Sequence, residues 1–414
     1  MTQTINNVSD VGKVIAKAAA AMLADKTQFL KSIDKEPASS FGQVNGYNVG
    51  DTLAINKPAR FIPTSTADIT STLQEVVEEK TTLSLDTRKI VGINLTSAEI
   101  QNTLALKDWS NRVLDPAVSS IAQGVEAAFL EKAKNWSNHI VGTPGSTTFD
   151  TDLSLAAREK LMKALVPQDG KLFGLLDSGA MRSAVNARKG LFQSSAAIAE
   201  QYKEGYVGYA DGFTYLENNL VPRHTNGADV AFSVESSVVT IANGMSTLGV
   251  DGVTGGATIK AGTKFTIPSC YDVHPITKAT LPNLKTFTVT QDVTEAGGNT
   301  VTLQISPAIY YTTTDPRQNV SAAPTDEDAC TVLTGLASTG YSHNLFYHKS
   351  AFRFASVPLM KPDGAHMVGQ ETVDGMTIRV WMDASILTDK MIMRLDFLGG
   401  FAAVRPEWSC VATS

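Results

Sequence analysis

Apolar residues at Val11, Val14, Ile15, Ala18, Met22, Phe29 and Ile33 recur near the helical period, behind Ser9 and Asp10, which suit an N-cap. They predict an amphipathic arm that Glu36-Pro37 ends. Being terminal, the arm is expected to stay mobile until another surface covers its stripe. Asn45, Gly46 and Gly50 then lead into extended chain. Alternation over 52–61 places Leu53, Ile55, Ala59 and Phe61 on one face. Over 81–95, Leu83, Leu85, Val91, Ile93 and Leu95 share a face whose middle, Thr87 and Lys89, is polar. Apolar ends around a polar middle predict a hairpin that leaves the core. Pro58 and Pro63 lack a backbone N–H, which confines the first segment to an edge or a protruding ribbon.

Asp115-Pro116 marks a helix start, because the carboxylate accepts from early N–H groups and proline has the right φ at the first helical position. Val118, Ile121, Ala122, Val125, Phe129 and Ala133 then form one apolar stripe over about five turns. Helices over 154–165, 179–188 and 196–203, with a strand at 172–176, read as an α/β block.

Beyond residue 225 the pattern changes. Half of the chain's 44 threonines, 22, fall within 225–339, in alternating runs at 237–242, 264–268, 286–291 and 300–305, with Gly297-Gly298-Asn299 as a hairpin turn. Period-2 strands return at 376–383 and 391–398, so the threonine-rich β module reads as an insertion. It holds five Lys and Arg against ten Asp and Glu, so five of the chain's six net negative charges reside there.

The 414 residues suggest roughly two to three domains. With 43% hydrophobic and only 18% charged residues, the chain buries large cores, and disorder is excluded. A net charge of −6 excludes a dedicated nucleic-acid binder. Cys270, Cys330 and Cys410 form no CxxC pair and read as reduced, buried thiols of a cytoplasmically made protein. Lys17 interrupts the alanine-rich stretch near the start, which is no signal peptide, and no apolar run reaches the about 18 residues of a membrane span.

Catalytic patterns are missing: there is no GxSxG, HExxH, GxGxxG or Walker A loop. His343 and His348 lack metal-site partners nearby and read as ordinary turn histidines. Asp326-Glu327-Asp328 lacks the oxygen spacing and glycine of a calcium loop and reads as a solvated loop. Trp109, Trp136, Trp381 and Trp408 are too scattered for a stacking platform, so packing is their default role. No catalytic, cofactor-binding or metal-ligating residue is expected.

Several stretches resemble the major capsid proteins of tailed bacteriophages, in the branch of the P22 coat protein. They are Gly50-Asp51-Thr52, Lys57-Pro58-Ala59-Arg60-Phe61, and Leu95-Thr96-Ser97-Ala98-Glu99 ahead of the Pro116 helix. Further along come Glu204-Gly205-Tyr206-Val207-Gly208, Gly212-Phe213, Val221-Pro222-Arg223-His224-Thr225, the stretch from Tyr271 to Lys278, and Ile305-Ser306-Pro307-Ala308. Arg394-Leu395-Asp396, Leu398-Gly399-Gly400 and Arg405-Pro406-Glu407 make the strongest signature, although relatives often carry an aromatic where Gly399 or Gly400 stands.

The resemblance implies an α+β HK97-like major capsid protein fold: an N-terminal arm at 1–44, an extended loop at 45–92, and a peripheral domain with its spine helix at 93–150. The axial domain begins at 151–224, an all-β domain is inserted at 225–340, and return strands of the axial and peripheral domains fill 341–414. It implies self-assembly into hexamers and pentamers of an icosahedral shell, with a scaffolding protein, a portal and packaged double-stranded DNA as partners and no membrane. The location is the virion, after synthesis in the bacterial host cytoplasm. Assembly contacts are expected at Arg60, Asp86, Arg88 and Lys89. The alternatives are a secreted β-domain binding or adhesin protein, which only the threonine-rich module favours, and a hydrolase, for which no acid, base or nucleophile cluster is found.

Overall fold

The computed structural model describes residues 8–41, 50–63, 65, 67, 70, 73–96, 110–146, 148–188, 207–362, 364, 366–385 and 390–413. The helix expected over 196–203, the turn residues Asn45 and Gly46, and the motif residues Ser97 to Glu99 and Glu204 to Tyr206 lie outside them. The chain divides into two compact units, Met1–Ile55 with Thr81–Phe129 and Phe352–Ala402, and Asn56–Lys80 with Leu130–Ala351 and Ala403–Ser414.

In the first unit, strands Asp34–Glu36, Phe352–Ser356, Lys390–Ala403, Met376–Ser385 and Met367–Val373 lie in that order, and Thr87–Thr96 also pairs with Lys390–Ala403. Helix α1, Val8–Lys26, packs on Met367–Val373. Its buried face is Ala16, Ala19, Ala20 and Leu23, whereas Val14 is 68% exposed, so the expected stripe is rotated. The reason is steric. A Cβ on Gly369 would stand 1.9 Å from the Gly12 carbonyl oxygen, so backbone meets backbone there, and only a small-residue face comes that near. The face that the arm does bury is covered by the chain's own strands Met367–Val373 and Met376–Ser385. Gly369→Ala is expected to force α1 outward at a cost of about 1–3 kcal/mol. Faster hydrogen exchange across 12–26 would report it, and unchanged exchange would refute the close approach.

The arm is also broken. The Thr27 hydroxyl donates back to the Leu23 carbonyl, 3.2 Å away, and a short helix α2, Gln28–Lys31, follows, whose Phe29 N–H donates to the buried Glu126 carboxylate. Glu126 belongs to helix α3, Asp115–Trp136, which begins at Asp115-Pro116 as expected but is preceded by a wider π-helical turn, Ser110–Leu114. Val118, Ile121, Ala122, Val125, Phe129 and Ala133 are all buried along it.

In the second unit, helices α4, Thr151–Lys163, and α5, Ser178–Ala187, are capped by Asp150 and Asp177, whose carboxylates accept from the N–H groups of Leu153 and Ala180. They accompany a sheet with strand order His139–Val141, Ser409–Thr413, Gly340–His348, Leu172–Leu176, Phe213–Glu217 and Tyr209–Ala210. Six further strands close into a barrel: Ala231–Val234, Met245–Asp251, Val301–Ile309, Thr280–Val289, Lys264–Val273 and Ala329–Val332. Its interior holds Leu248, Val250, Phe265, Ile267, Phe287, Val289 and Leu303, all fully buried. The run at 237–242 is not a strand. It folds over Gly249, where a Cβ would stand 2.5 Å from the Glu235 carbonyl oxygen, so Val239 and Ile241 reach the core from a turn. Cys270, Cys330 and Cys410 are buried free thiols, and no helix among the described residues is long and apolar enough to cross a membrane.

Candidate assembly surfaces

Thr52–Asn56 pairs with Lys80–Ser84 to form a two-stranded ribbon. The Lys57 N–H donates to the Glu79 carbonyl at 2.7 Å, and reciprocal Gly50–Leu85 and Leu85–Asp51 bonds of 2.8 and 2.9 Å close its base. Beyond the strands, Phe61, Leu73, Val76 and Val77 are exposed, although a protein surface rarely gathers so many large apolar side chains on one narrow element. The Gln74 side chain accepts from the Ile62 N–H and donates to its carbonyl, which fixes the path of this tip.

The single long segment expected over 81–95 is two strands, interrupted at Leu85-Asp86. Leu83 and Leu85 are fully buried, and where the chain crosses the sheet a Cβ on Gly400 would lie 2.4 Å from the Ser84 carbonyl oxygen. That approach leaves no room for a side chain at residue 400. The polar middle therefore belongs to the first unit's sheet, not to the ribbon. Asp86 accepts from the Thr87 hydroxyl at 2.9 Å, and the Lys89 stem passes Gly124 of α3. Arg88 lies 4.0 Å from Asp396 of its own chain. Of the four expected contact residues only Arg60 stands on the ribbon's far side, where its guanidinium donates to Glu407 at 3.4 Å.

Sequence reasoning missed the charge cluster around Asp396. This carboxylate is 1% exposed and meets the Arg394 Nε at 2.7 Å, the Arg379 Nε at 3.1 Å and Arg379 Nη2. Both guanidiniums also lie over the Trp381 ring. Strand alternation explains the Arg394-Leu395-Asp396 signature, because Leu395 points into the core while its neighbours share the opposite face.

A cleft of 680 Å³ opens in the second unit. The ribbon contributes Lys57, Arg60 and Lys80, the barrel Lys285 and Arg317, and the surround of the α/β sheet Lys163 and Arg405. Three carboxylates, Glu79, Asp272 and Glu407, oppose these seven cations. Lys285 is paired with Asp272 at 2.9 Å, and Arg405 stacks on Trp408 at 4.1 Å. These residues come from five distant stretches, and nothing in their local spacing announces them.

Where the barrel joins its host, basic groups are buried together. The Lys264 ammonium is fully buried and donates to the Lys134 carbonyl at 3.1 Å, and the Lys134 ammonium donates to Glu131 at 2.6 Å. His224 and His343 stack at 5.1 Å. His343 and His348 are thus strand histidines on opposite faces rather than turn residues, and the His348 ring meets Asp169 at 3.0 Å. Burial, then the neighbouring lysines, hold His224 down at about 3, and His139 sits at about 3 through burial and then Lys285. His343 is pushed well below its ordinary value by burial and then Lys264, while burial and then Lys134 bring Lys264 down to about 7.

The unfolded chain therefore binds protons on His224 and His139 from about pH 6.5 downward, whereas the folded chain does so only near 3, and burial of His343 acts in the same direction. Stability is expected to fall as pH drops through that window. Lys264 adds the same sign between 10.5 and about 7. Thermal midpoints measured from pH 8 to 4 check this, and His224→Gln should flatten the acid limb. A variant with the slope of the wild type would contradict it.

A subunit with a protruding apolar-tipped ribbon, buried charge clusters and an interposed barrel has the features of a structural, shell-forming coat protein. Residues 43–412 match the family model of the P22 coat protein, gene protein 5, and the chain belongs to that family. A relative described as the major capsid protein of Acyrthosiphon pisum secondary endosymbiont phage 1 is 22% identical over 422 residues, covering 97% of each chain. Among solved structures, Mycobacterium phage Che8 has a TM-score of 0.45 at 11% identity, covering 93% of this chain and 90% of that one. The mature capsid of bacteriophage PhiM1 has a TM-score of 0.46 at 9% identity, covering 94% and 86%.

Proposed function

We propose that this chain builds an icosahedral phage shell from hexamers and pentamers of itself and acts without catalysis. The family match over 43–412 carries the reading, and the uncovered ribbon tip supports it, since exposed Phe61, Val76 and Val77 need a surface to bury against. In this reading 1–44 is the arm, 45–92 the extended loop, 93–150 the peripheral domain, 151–224 with 341–414 the axial domain and return strands, and 225–340 the inserted domain. Arg60 serves assembly from the ribbon. Asp86 serves from the break ahead of strand Thr87–Thr96, and Arg88 and Lys89 serve from the strand itself, which among the described residues is paired on one side only.

A scaffolding protein and a portal take part during assembly in the host cytoplasm, and the finished shell encloses double-stranded DNA without gripping it, since the chain outside the barrel is nearly neutral. The acidic barrel faces outward, away from DNA that would repel it. The secreted adhesin reading is the weaker one, because the family model spans the host domain as well as the barrel. Electron microscopy and sedimentation of the purified protein test the proposal. Shells or spirals are expected; a monodisperse monomer under all assembly conditions would overturn it.

A further inference from the structure

The basic cleft of the second unit carries charge that the subunit only partly compensates, since among the described residues Arg60, Lys163, Lys285 and Arg317 have carboxylate partners and three other cations do not. Lys57, Lys80 and Arg405 make no ion pair among the described residues. At its floor, Asn138 and His139 are 2% and 6% exposed, yet the Asn138 Nδ2 donor and the His139 Nε2 are without a hydrogen-bond partner among the described residues. A buried amide donor left unpaired costs about 1–3 kcal/mol, so it marks a place where a partner group is missing. The same chain carries a complementary feature. In the barrel loop Asp326-Glu327-Asp328, Asp326 accepts from the Ser236 N–H at 2.7 Å and Asp328 from the Thr325 N–H at 2.8 Å. Asp328 also accepts from the Ser269 hydroxyl of barrel strand Lys264–Val273, so Glu327 is presented on a tethered loop, exposed and without an ion pair among the described residues. The loop lines no part of the cleft.

We propose that the cleft receives the Asp326–Asp328 loop of a second copy, with the Glu327 carboxylate directed to Lys57, Lys80 and Arg405. The contact is heterologous, one surface meeting a different surface of the next copy, which is the kind that propagates into rings and lattices. A protein carboxylate fits better than nucleic-acid phosphate. Glu79, Asp272 and Glu407 remain in the walls and would repel a continuous phosphodiester chain, but leave room for single carboxylates between the cations. Charge complementarity of this sort fixes register and partner choice more than it adds affinity.

The proposal rests on the shell reading, and the experiment separates the two. Wild-type protein that forms no particles counts against the shell reading itself. Given wild-type particles, the double variant Lys57→Glu with Lys80→Glu, and separately Glu327→Lys, should each lose the particle fraction in sedimentation while circular dichroism and the thermal midpoint of the subunit stay unchanged. All three changes in one chain should restore particles, because the charges are then complementary again. Normal assembly of either the double variant or Glu327→Lys, or a triple variant that stays folded but unassembled, overturns the proposal. Normal empty shells that fail only to retain DNA overturn it in favour of a phosphate contact.

Discussion

Phe129→Ala is expected to destabilise the subunit by about 3–5 kcal/mol, enough to restrict soluble expression to low temperature. The ring is fully buried, stacked on Phe401 at 5.3 Å and edge-on to Phe354 at 5.6 Å. Phe401 in turn packs on Phe352 at 5.3 Å and Phe29 at 5.9 Å. One cluster thus ties the arm, α3 and the return strands together, and the two strands that carry Phe354 and Phe401 limit how far a cavity can collapse. Differential scanning of the unassembled subunit checks this. A midpoint equal to the wild type would mean that the helix does not bury this face.

Asp396→Asn should be comparably damaging, by about 3–5 kcal/mol. Its carboxylate is the acceptor for Arg379 and Arg394 and lies within 4.0 Å of Arg88. The amide would leave the Arg379 guanidinium, whose side chain is 9% exposed, without its counter-charge. Asp396→Leu with Arg379→Met, which removes both charges, should recover part of the loss, because desolvation is then no longer unrewarded. No recovery would imply that the aspartate acts through packing rather than charge. Arg88→Glu belongs to the same cluster. Because Arg88 is more exposed and more distant, its reversal should shift stability by under about 1 kcal/mol, so any larger defect in assembly would be an interface effect.

The α3 start at Asp115-Pro116, the capped helices α4 and α5 and the strand Leu172–Leu176 are all visible in the sequence. The break at Leu85-Asp86 is not, since the sequence shows only a polar middle at Thr87 and Lys89, and the crossing at Gly400 shows why the chain changes partner there. Of the charge cluster, Arg394 and Asp396 stand two residues apart in one local motif, but Arg379 is 17 residues from Asp396 and its role depends on the register Arg379↔Asp396. The cleft was hidden altogether.

What the sequence determined alone is what neighbours within a few positions decide. A cap is a contact between residues three apart, a helical stripe repeats every three or four, and β-branched threonines favour extended chain wherever they gather. What only the tertiary structure decided is which face is buried and which charges meet. Hydrophobicity ranks Val14 above Ala16 and Ala20, yet the helix turns its alanines inward because the Gly12–Gly369 approach leaves no space for more. Lys57, Lys285 and Arg405 become neighbours through folding, and charges brought together across some 350 positions leave no periodic trace in the chain.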